Sequence, residues 1–579
     1  MYLIADGRRS PFHIVTGQNA HEAVRFAASE LQKYIYESTG ACVPFFSDRC
    51  PRRSPEIMVG IDARDAKERI SMEGVGPEGF RIKTDNEDLI IAGTTPRGTL
   101  YGVYTFLENF VGFRCFTSDA EKVDRMPRLE LPEIDMVENP AFEYREVYFR
   151  DAFDGGFAAK NKLNSNMADL SNMRGGKMKF YNFHHSFHDL ISADEYFDSH
   201  PEYFSLVNGK RRKEGTQLCL TNPDVFELSL AKVREWIEEN PDCTVFSVAQ
   251  NDYSTPCECE NCRAVDEREG SHSGTIINFV NKIAENIEKD YPHVLLHTFA
   301  YRYSKVAPRN IKPHKNVIVR LCNIECSWEK PLAELAAQSP EGEAAGFLKN
   351  LKEWARICQH LYIWDYAVNF SNYLQPFPNL YSMAENLKLY KAYNVKGVLQ
   401  QGNFSHGGKG ALDELKSYVM ARLLWNPERD VNREIDDFLA GYYGKSSDCM
   451  KAYITLLHES VGDIPLKIYD SPASEIFSEP VLEKADRLLE AAIEAAEDEA
   501  VKRRIEKERL AITYVHLARM EMDHPQRNEL IDAFAEQVKS FRITEIMERT
   551  NLDLSFEIMK RSRYCLDRTG RYSLYYIMR

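Results

Sequence analysis

A chain of 579 residues is too long to close around one hydrophobic core, so it divides into several domains. With 44% hydrophobic and 28% charged residues it has a globular composition, and a formal net charge of −15 excludes the basic surface that phosphate-backbone binding needs. No window approaches the roughly 18 uninterrupted apolar residues of a membrane span, and Met1–Pro11 lacks the features of a signal peptide, so the expected setting is the cytoplasm, without nucleic-acid or membrane partners.

Residues 1–128 read as a small α/β domain. Ala23, Phe26, Ala27, Leu31 and Ile35 repeat at helical spacing within 20–38, and Gly40 follows as a stop. Glu56–Gly60, Phe80–Thr84 and Leu89–Ala92 read as strands. Gly93–Pro96 turns the chain into a helix whose apolar face is Leu100, Val103, Tyr104 and Leu107. That Gly-rich turn matches neither phosphate-loop pattern.

Pro127, Pro132 and Pro140 mark a linker into residues 129–411. Eight short strand candidates lie there, separated by helical or loop spans: Tyr144–Phe149, Met178–Phe183, Gln217–Leu220, Thr244–Ala249, Val294–Phe299, Val317–Cys322, Tyr362–Trp364 and Gly397–Gln400. Eight βα units in about 270 residues predict a (β/α)8 TIM barrel. From Leu412 strand signals vanish, so residues 412–579 are expected to be a helical C-terminal domain, with charge runs such as Lys502–Arg509 on solvated faces. Composition leaves a homo-oligomer open.

In a barrel of this kind the residues after each strand converge on one mouth. Arg150 and Asp151 follow the first strand, His184 and His185 the second, Asn222 the third, and Asn251 and Asp252 the fourth. Tyr301 and Arg302 follow the fifth, and Glu325 the sixth; Trp364 ends the seventh and Asp365 follows it, and Gln401 and Asn403 follow the eighth. Polar groups after every strand, interleaved with aromatic rings, suit a sugar site, so the expected partner is a carbohydrate. Glycosidic cleavage commonly takes one carboxylic acid as proton donor and a second carboxylate as base or nucleophile. Asp252 is the expected acid, with Glu325 and Asp365 as base candidates. The bland alternatives are a turn cap for Asp252, a salt bridge for Glu325 and a buried acceptor for Asp365. Arg150, His184, His185, Asn222, Asn251, Tyr301, Arg302, Trp364, Gln401 and Asn403 are the expected substrate contacts. Arginines facing a mouth suggest an acidic sugar, since a guanidinium binds a carboxylate through two parallel hydrogen bonds.

The helix G-T-L-Y-G-V-Y-T-F-L-E with its preceding T-P-R resembles the end of the small α/β domain that precedes the barrel in bacterial α-glucuronidases and β-N-acetylhexosaminidases. The segments Q-L-C-L-T-N-P, S-V-A-Q-N-D-Y-S-T-P-C-E-C-E-N-C, N-V-I-V-R-L-C-N-I-E-C and L-Y-I-W-D-Y-A-V-N-F are similar to a bacterial domain-of-unknown-function family related to those α-glucuronidases. The resemblance covers about residues 1–445 and implies a hydrolase of polysaccharide degradation. In α-glucuronidases, which invert, a glutamate acid after the fourth strand works with a carboxylate pair on later strands. The match puts Asp252 in the acid's place and Glu325 and Asp365 in the pair's, with an acid shorter by one methylene. Hexosaminidases use two adjacent acids there, and the neighbour here is Asn251, so a substrate-assisted mechanism is the alternative. A non-catalytic carbohydrate-binding barrel is the other class, against which the three strand-end carboxylates weigh.

Thirteen cysteines, an odd number scattered through the chain, fit reduced thiols better than a disulfide framework. Cys257, Cys259 and Cys262 could supply three ligands to a structural zinc, with Cys219, Cys326 or His272 as the fourth. The competing reading is three small hydrophobic side chains. The carbohydrate chemistry itself requires no cofactor.

Overall fold

The structure is a computed structural model describing residues 1–562, so 563–579 of the expected helical domain lie outside the described residues. The chain forms two compact units. One comprises Met1–Lys177, Ala367–Ala384 and the chain from Gln401; the other comprises Met178–Tyr366 and Glu385–Gln400.

The first unit opens with a six-stranded mixed sheet in the order Asp135–Glu138, Phe80–Asp85, Asp88–Gly93, Glu56–Val59, His13–Thr16, Phe45–Ser47. Phe80–Asp85 alternates between full and partial burial, while every residue of the central Asp88–Gly93 is buried. Two helices cover this sheet. Glu22–Thr39 starts at His21, whose ring accepts from the Ala23 N–H, and stops at Gly40, where φ is 77° and a side chain would be strained. Pro96–Phe106 is capped by Thr95, whose hydroxyl accepts the Gly98 N–H at 3.1 Å. The predicted face of Leu100, Val103, Tyr104 and Leu107 is wholly buried, each aliphatic residue contributing about 1.5–3 kcal/mol.

Beyond Leu412 the unit is helical, in seven α-helices among the described residues from Asp413–Trp425 to Leu552–Arg561. One expectation fails here. Lys507 and Glu508, read as part of a solvated charge run, are buried, and the Lys507 ammonium donates to Glu414 at 2.6 Å and to Glu508. The ion pairs replace the water that the sequence pattern led one to expect.

In the second unit Phe180–Tyr181, Val245–Ser247, Leu295–Ala300, Val317–Cys322 and His360–Tyr366 pair parallel in that order. Gly397–Gln401 lies beside His360–Tyr366. Crossover helices such as Ser273–Ile287 and Glu343–Ile357 join them, as parallel pairing demands. The sheet is curled. Phe183, just past the edge strand, meets Trp364, four strands away, with ring centroids 5.8 Å apart; in a flat sheet four spacings would be about 19 Å. Gln217–Leu220, the expected third barrel strand, forms only an isolated bridge between Leu218 and Phe204. Its polar members are used otherwise: Gln217 as a loop clamp and Cys219 in a cysteine cluster. What stands of the predicted fold is thus an α/β architecture with a curled parallel sheet. Among the described residues no helix is long and apolar enough to cross a membrane.

Candidate active site

Because its strands run parallel, the second unit presents their carboxyl ends along one edge, and the concave face below that edge is lined with rings. His297 and Phe299, from the Leu295–Ala300 strand, lie 4.9 Å apart; Phe299 lies 5.8 Å from Trp364, and His184 6.0 Å from Trp364. The Arg320 guanidinium stacks among Phe180, Phe183 and Trp364 at 4.9–5.5 Å, a cation inside the sheet that the sequence reading missed.

Asp252 sits on the irregular loop after Val245–Ser247. Its Oδ1 is 3.8 Å from the Arg302 guanidinium and 4.0 Å from His185 Nε2, and it is buried without a hydrogen bond among the described residues. His185 pairs its Nδ1 with the Gln250 carbonyl, and burial lowers its pKa despite the nearby Asp252 carboxylate, leaving a neutral imidazole facing Asp252. Tyr301 is buried, which pushes its phenol up, and its hydroxyl accepts from Arg302 Nε at 2.8 Å. Arg302 lies over the Tyr301 ring at a φ of 51°. A left-handed conformation at a non-glycine residue costs about 1–2 kcal/mol, and such outliers gather where function fixes the backbone. Carboxylate, imidazole, guanidinium, phenol and stacking rings thus meet around one loop.

The other two expected acids are placed differently. Asp365 is wholly buried: its Oδ1 accepts from Asn323 at 2.8 Å, Trp328 at 3.0 Å and the Tyr366 N–H at 2.9 Å, and its Oδ2 accepts from Tyr390 at 3.1 Å and Gln400 at 3.4 Å. Burial raises its pKa while these donors pull it down, and burial prevails. Five donors suit an acceptor that orders the strand ends rather than a base holding a water. Asp365→Ala orphans several buried donors at about 1–3 kcal/mol each. Urea unfolding is expected to show a loss of about 3 kcal/mol or more; wild-type stability would contradict the reading. Glu325 is partly exposed and pairs with Lys305 at 3.4 Å, an exposed pair of the kind worth about 0–1 kcal/mol, which leaves its carboxylate free to turn.

Asn222 and Asn251, both expected substrate contacts, have structural partners. Asn222 caps the helix Pro223–Glu239, accepting from the Asp224 N–H at 2.8 Å. Asn251 is buried, accepting from the His188 N–H and donating to the Thr216 carbonyl, each at 3.0 Å.

Cys257, Cys259 and Cys262 gather with Cys219, all four sulfurs lying within 4.8 Å of one another. The sequence named Cys219 as one of three candidates for the fourth place. His272 instead bonds Asp266 at 2.6 Å. The four residues form a group that could hold a metal ion.

Arg150, Gln401 and Asn403 belong to the first unit. Asn403 is buried and donates to Asp413 at 3.0 Å, while Gln401 ends its strand, partly buried. Arg150 lines a cleft of about 770 Å³ together with Asp151, Asp413, Glu414, Arg504 and Lys507. Asp151 accepts from the Ser118 N–H and hydroxyl, yet burial pushes its carboxyl up to about 7. The sequence showed Asp151 at a strand end, but no motif ties it to Asp413 or Lys507, hundreds of residues away. The sign of the shift gives a test. A raised folded-state pKa means that this group's stability is full below the unfolded value of about 3.9 and is lost as pH rises through about 7. Asp151→Asn is therefore expected to melt with the wild type near pH 4 and above it at pH 8. A gap that does not widen with pH would contradict this.

The fold and these groups define an α/β protein with a curled parallel sheet and a polar, ring-lined loop at the strand ends. Residues 115–455 match the family described as a domain of unknown function, DUF4838, and residues 5–106 match the glycosyl hydrolase family 67 N-terminus. The first match spans more than half of the chain, which belongs to the DUF4838 family. The resemblance drawn from the sequence is thereby borne out. Among solved structures, a family GH115 4-O-methyl-α-glucuronidase with specificity for decorated arabinogalactans is similar in fold, with a TM-score of 0.59 at 11% identity over 97% of this chain and 80% of its own. A GH138 enzyme targeting pectin rhamnogalacturonan II gives 0.45 at 11% identity over 93% and 75%. A comparison with curated proteins finds no match.

Proposed function

We propose that this protein is a glycoside hydrolase acting on a glycan-derived oligosaccharide, with α-glucuronidase-like preference for an acidic sugar. The observation that carries the reading is the Asp252 carboxylate, held at a strand end with a buried, unbonded oxygen beside Arg302 and His185. Asp252 is the proton donor to the leaving oxygen, Arg302 pairs with the sugar carboxylate, and Trp364, Tyr301 and His184 border the ring. Glu325 is the second carboxylate. Asp365 orders the strand ends from below. The family 67 N-terminus and the fold likeness support the class of reaction, and such chemistry needs no cofactor.

The sheet is read as the wall of a (β/α)8 barrel, supported by strands at seven of the eight expected segments. A division into 1–128, 129–411 and 412–579 follows from that reading. The twelve described cysteines, none of them in a disulfide, support a cytoplasmic setting. A substrate-assisted hexosaminidase mechanism is less favoured, because the side chain that would orient an acetamido group, Asn251, is already bonded at both its ends.

A second reading is favoured by the cleft around Arg150, where the proton donor would be Asp151, its carboxyl near 7. Purified protein assayed against aryl α-glucuronides, the matching neutral glycosides and aryl N-acetylhexosaminides tests the proposal. Turnover of the uronide ahead of the others supports it, and turnover of none contradicts it.

A further inference from the structure

We propose that Cys219, Cys257, Cys259 and Cys262 bind one zinc ion as four thiolates, and that this ion fixes the loop carrying Asp252. A tetrahedral zinc with Zn–S bonds of about 2.3 Å holds its sulfurs about 3.8 Å apart. The Cys219 sulfur lies 3.6 Å from that of Cys259 and 4.0 Å from that of Cys262. Soft thiolates in this arrangement select zinc over magnesium, calcium or manganese.

The surroundings argue against a mere apolar patch. The Leu206 N–H points at the Cys257 sulfur at 3.4 Å and the Arg211 guanidinium at 3.6 Å, while the Thr221 hydroxyl is 3.1 Å from the Cys262 sulfur. Neutral thiols packed as small hydrophobes would not call for a guanidinium, a hydroxyl and an amide turned inward. Around a zinc tetrathiolate, which carries two net negative charges, the same groups stabilise the ligands and orient them.

The ion's position gives it a further role, which rests on the function proposed for Asp252. Between Asn251 and Glu258 the chain has no regular secondary structure. Cys257 anchors the loop on one side. On the other, Gln217, two residues before Cys219, accepts the Asn251 N–H at 2.8 Å and donates to the carbonyls of Asn251 at 2.8 Å and Tyr253 at 2.7 Å. The metal thus ties down both the loop and its clamp, supplying the rigidity that backbone pairing supplies elsewhere. Cys219, Cys257, Cys259 and Cys262 are positioning residues and touch no substrate.

Elemental analysis of the full chain, purified without chelator, is expected to give one zinc per molecule. Cys219→Ser and Cys262→Ser should each lose most of it, and Cys42→Ser, at an exposed cysteine outside the cluster, should keep it. Should the cluster variants fail to fold, the wild-type protein decides: an organomercurial titration should release the zinc to a colorimetric indicator as four thiols are consumed. Protein grown on cobalt should show the charge-transfer and tetrahedral ligand-field bands of a cobalt tetrathiolate. Zinc-free wild-type protein, iron in its place, or zinc retained by both cluster variants would overturn the proposal, and none of these readouts depends on turnover. The positioning role is read separately, in any aryl glycosidase activity found, as a loss on zinc removal that zinc restores.

Discussion

Replacing Asp252 by Asn is expected to lower kcat on an aryl uronide with a poor leaving group by about 10²–10⁴-fold, the range that a positioned general acid contributes. The amide keeps the size of the side chain and its place beside Arg302 and His185, but it cannot deliver the proton. Little of the fold hangs on this carboxylate, whose Oδ1 makes no hydrogen bond among the described residues. Melting temperature and far-ultraviolet circular dichroism should therefore stay near wild type while turnover collapses. Parallel losses of stability and activity would mean that Asp252 holds the loop instead of serving the reaction.

Arg302 gives the second large effect, in which activity falls while stability changes little. Its backbone sits at a φ of 51°, where glycine is at ease and arginine is not. Arg302→Gly should shift stability by no more than about 1 kcal/mol, the relief of strain being offset by the freer unfolded chain and by the lost bond to the Tyr301 hydroxyl. The same change removes the guanidinium. A charged hydrogen bond is worth about 1.5–3 kcal/mol, so kcat/KM on a uronide should fall about 10–100-fold while the matching neutral glycoside is little affected. Arg302→Lys keeps the charge but not the fork and should fall between. Equal losses on both substrates would leave Arg302 as a neutraliser of Asp252.

Local signals proved the most legible part of the chain. The turn at Gly93–Pro96 announces a helix start and Gly40 a helix stop, and both features stand in the structure because they rest on backbone chemistry within a few residues. The parallel strands were readable from their apolar runs. Gln217–Leu220 misled for the same reason: its apolar members look like a strand, but its polar members are taken by partners more than 30 residues away. The five donors to Asp365 include Tyr390 and Gln400, which only the folded sheet brings near. Burial of Lys507 and Glu508 likewise depends on Glu414, which no periodicity could reveal. Carboxylates could be placed at strand ends from the sequence, whereas sorting a buried acceptor from a reactive acid required their partners.

The central claim is that Asp252 donates the proton to the leaving group. A good leaving group needs no proton, so loss of the acid should matter only when the leaving group is poor. Asp252→Asn and Asp151→Asn, assayed side by side on two aryl uronides that differ in leaving-group acidity, test this most directly. The account predicts that Asp252→Asn retains most activity on the activated substrate and loses about 10²-fold or more on the poor one, while Asp151→Asn keeps the wild-type ratio. The reverse pattern, with Asp151→Asn selective and Asp252→Asn indifferent to the leaving group, would contradict it and move the reaction to the cleft around Arg150.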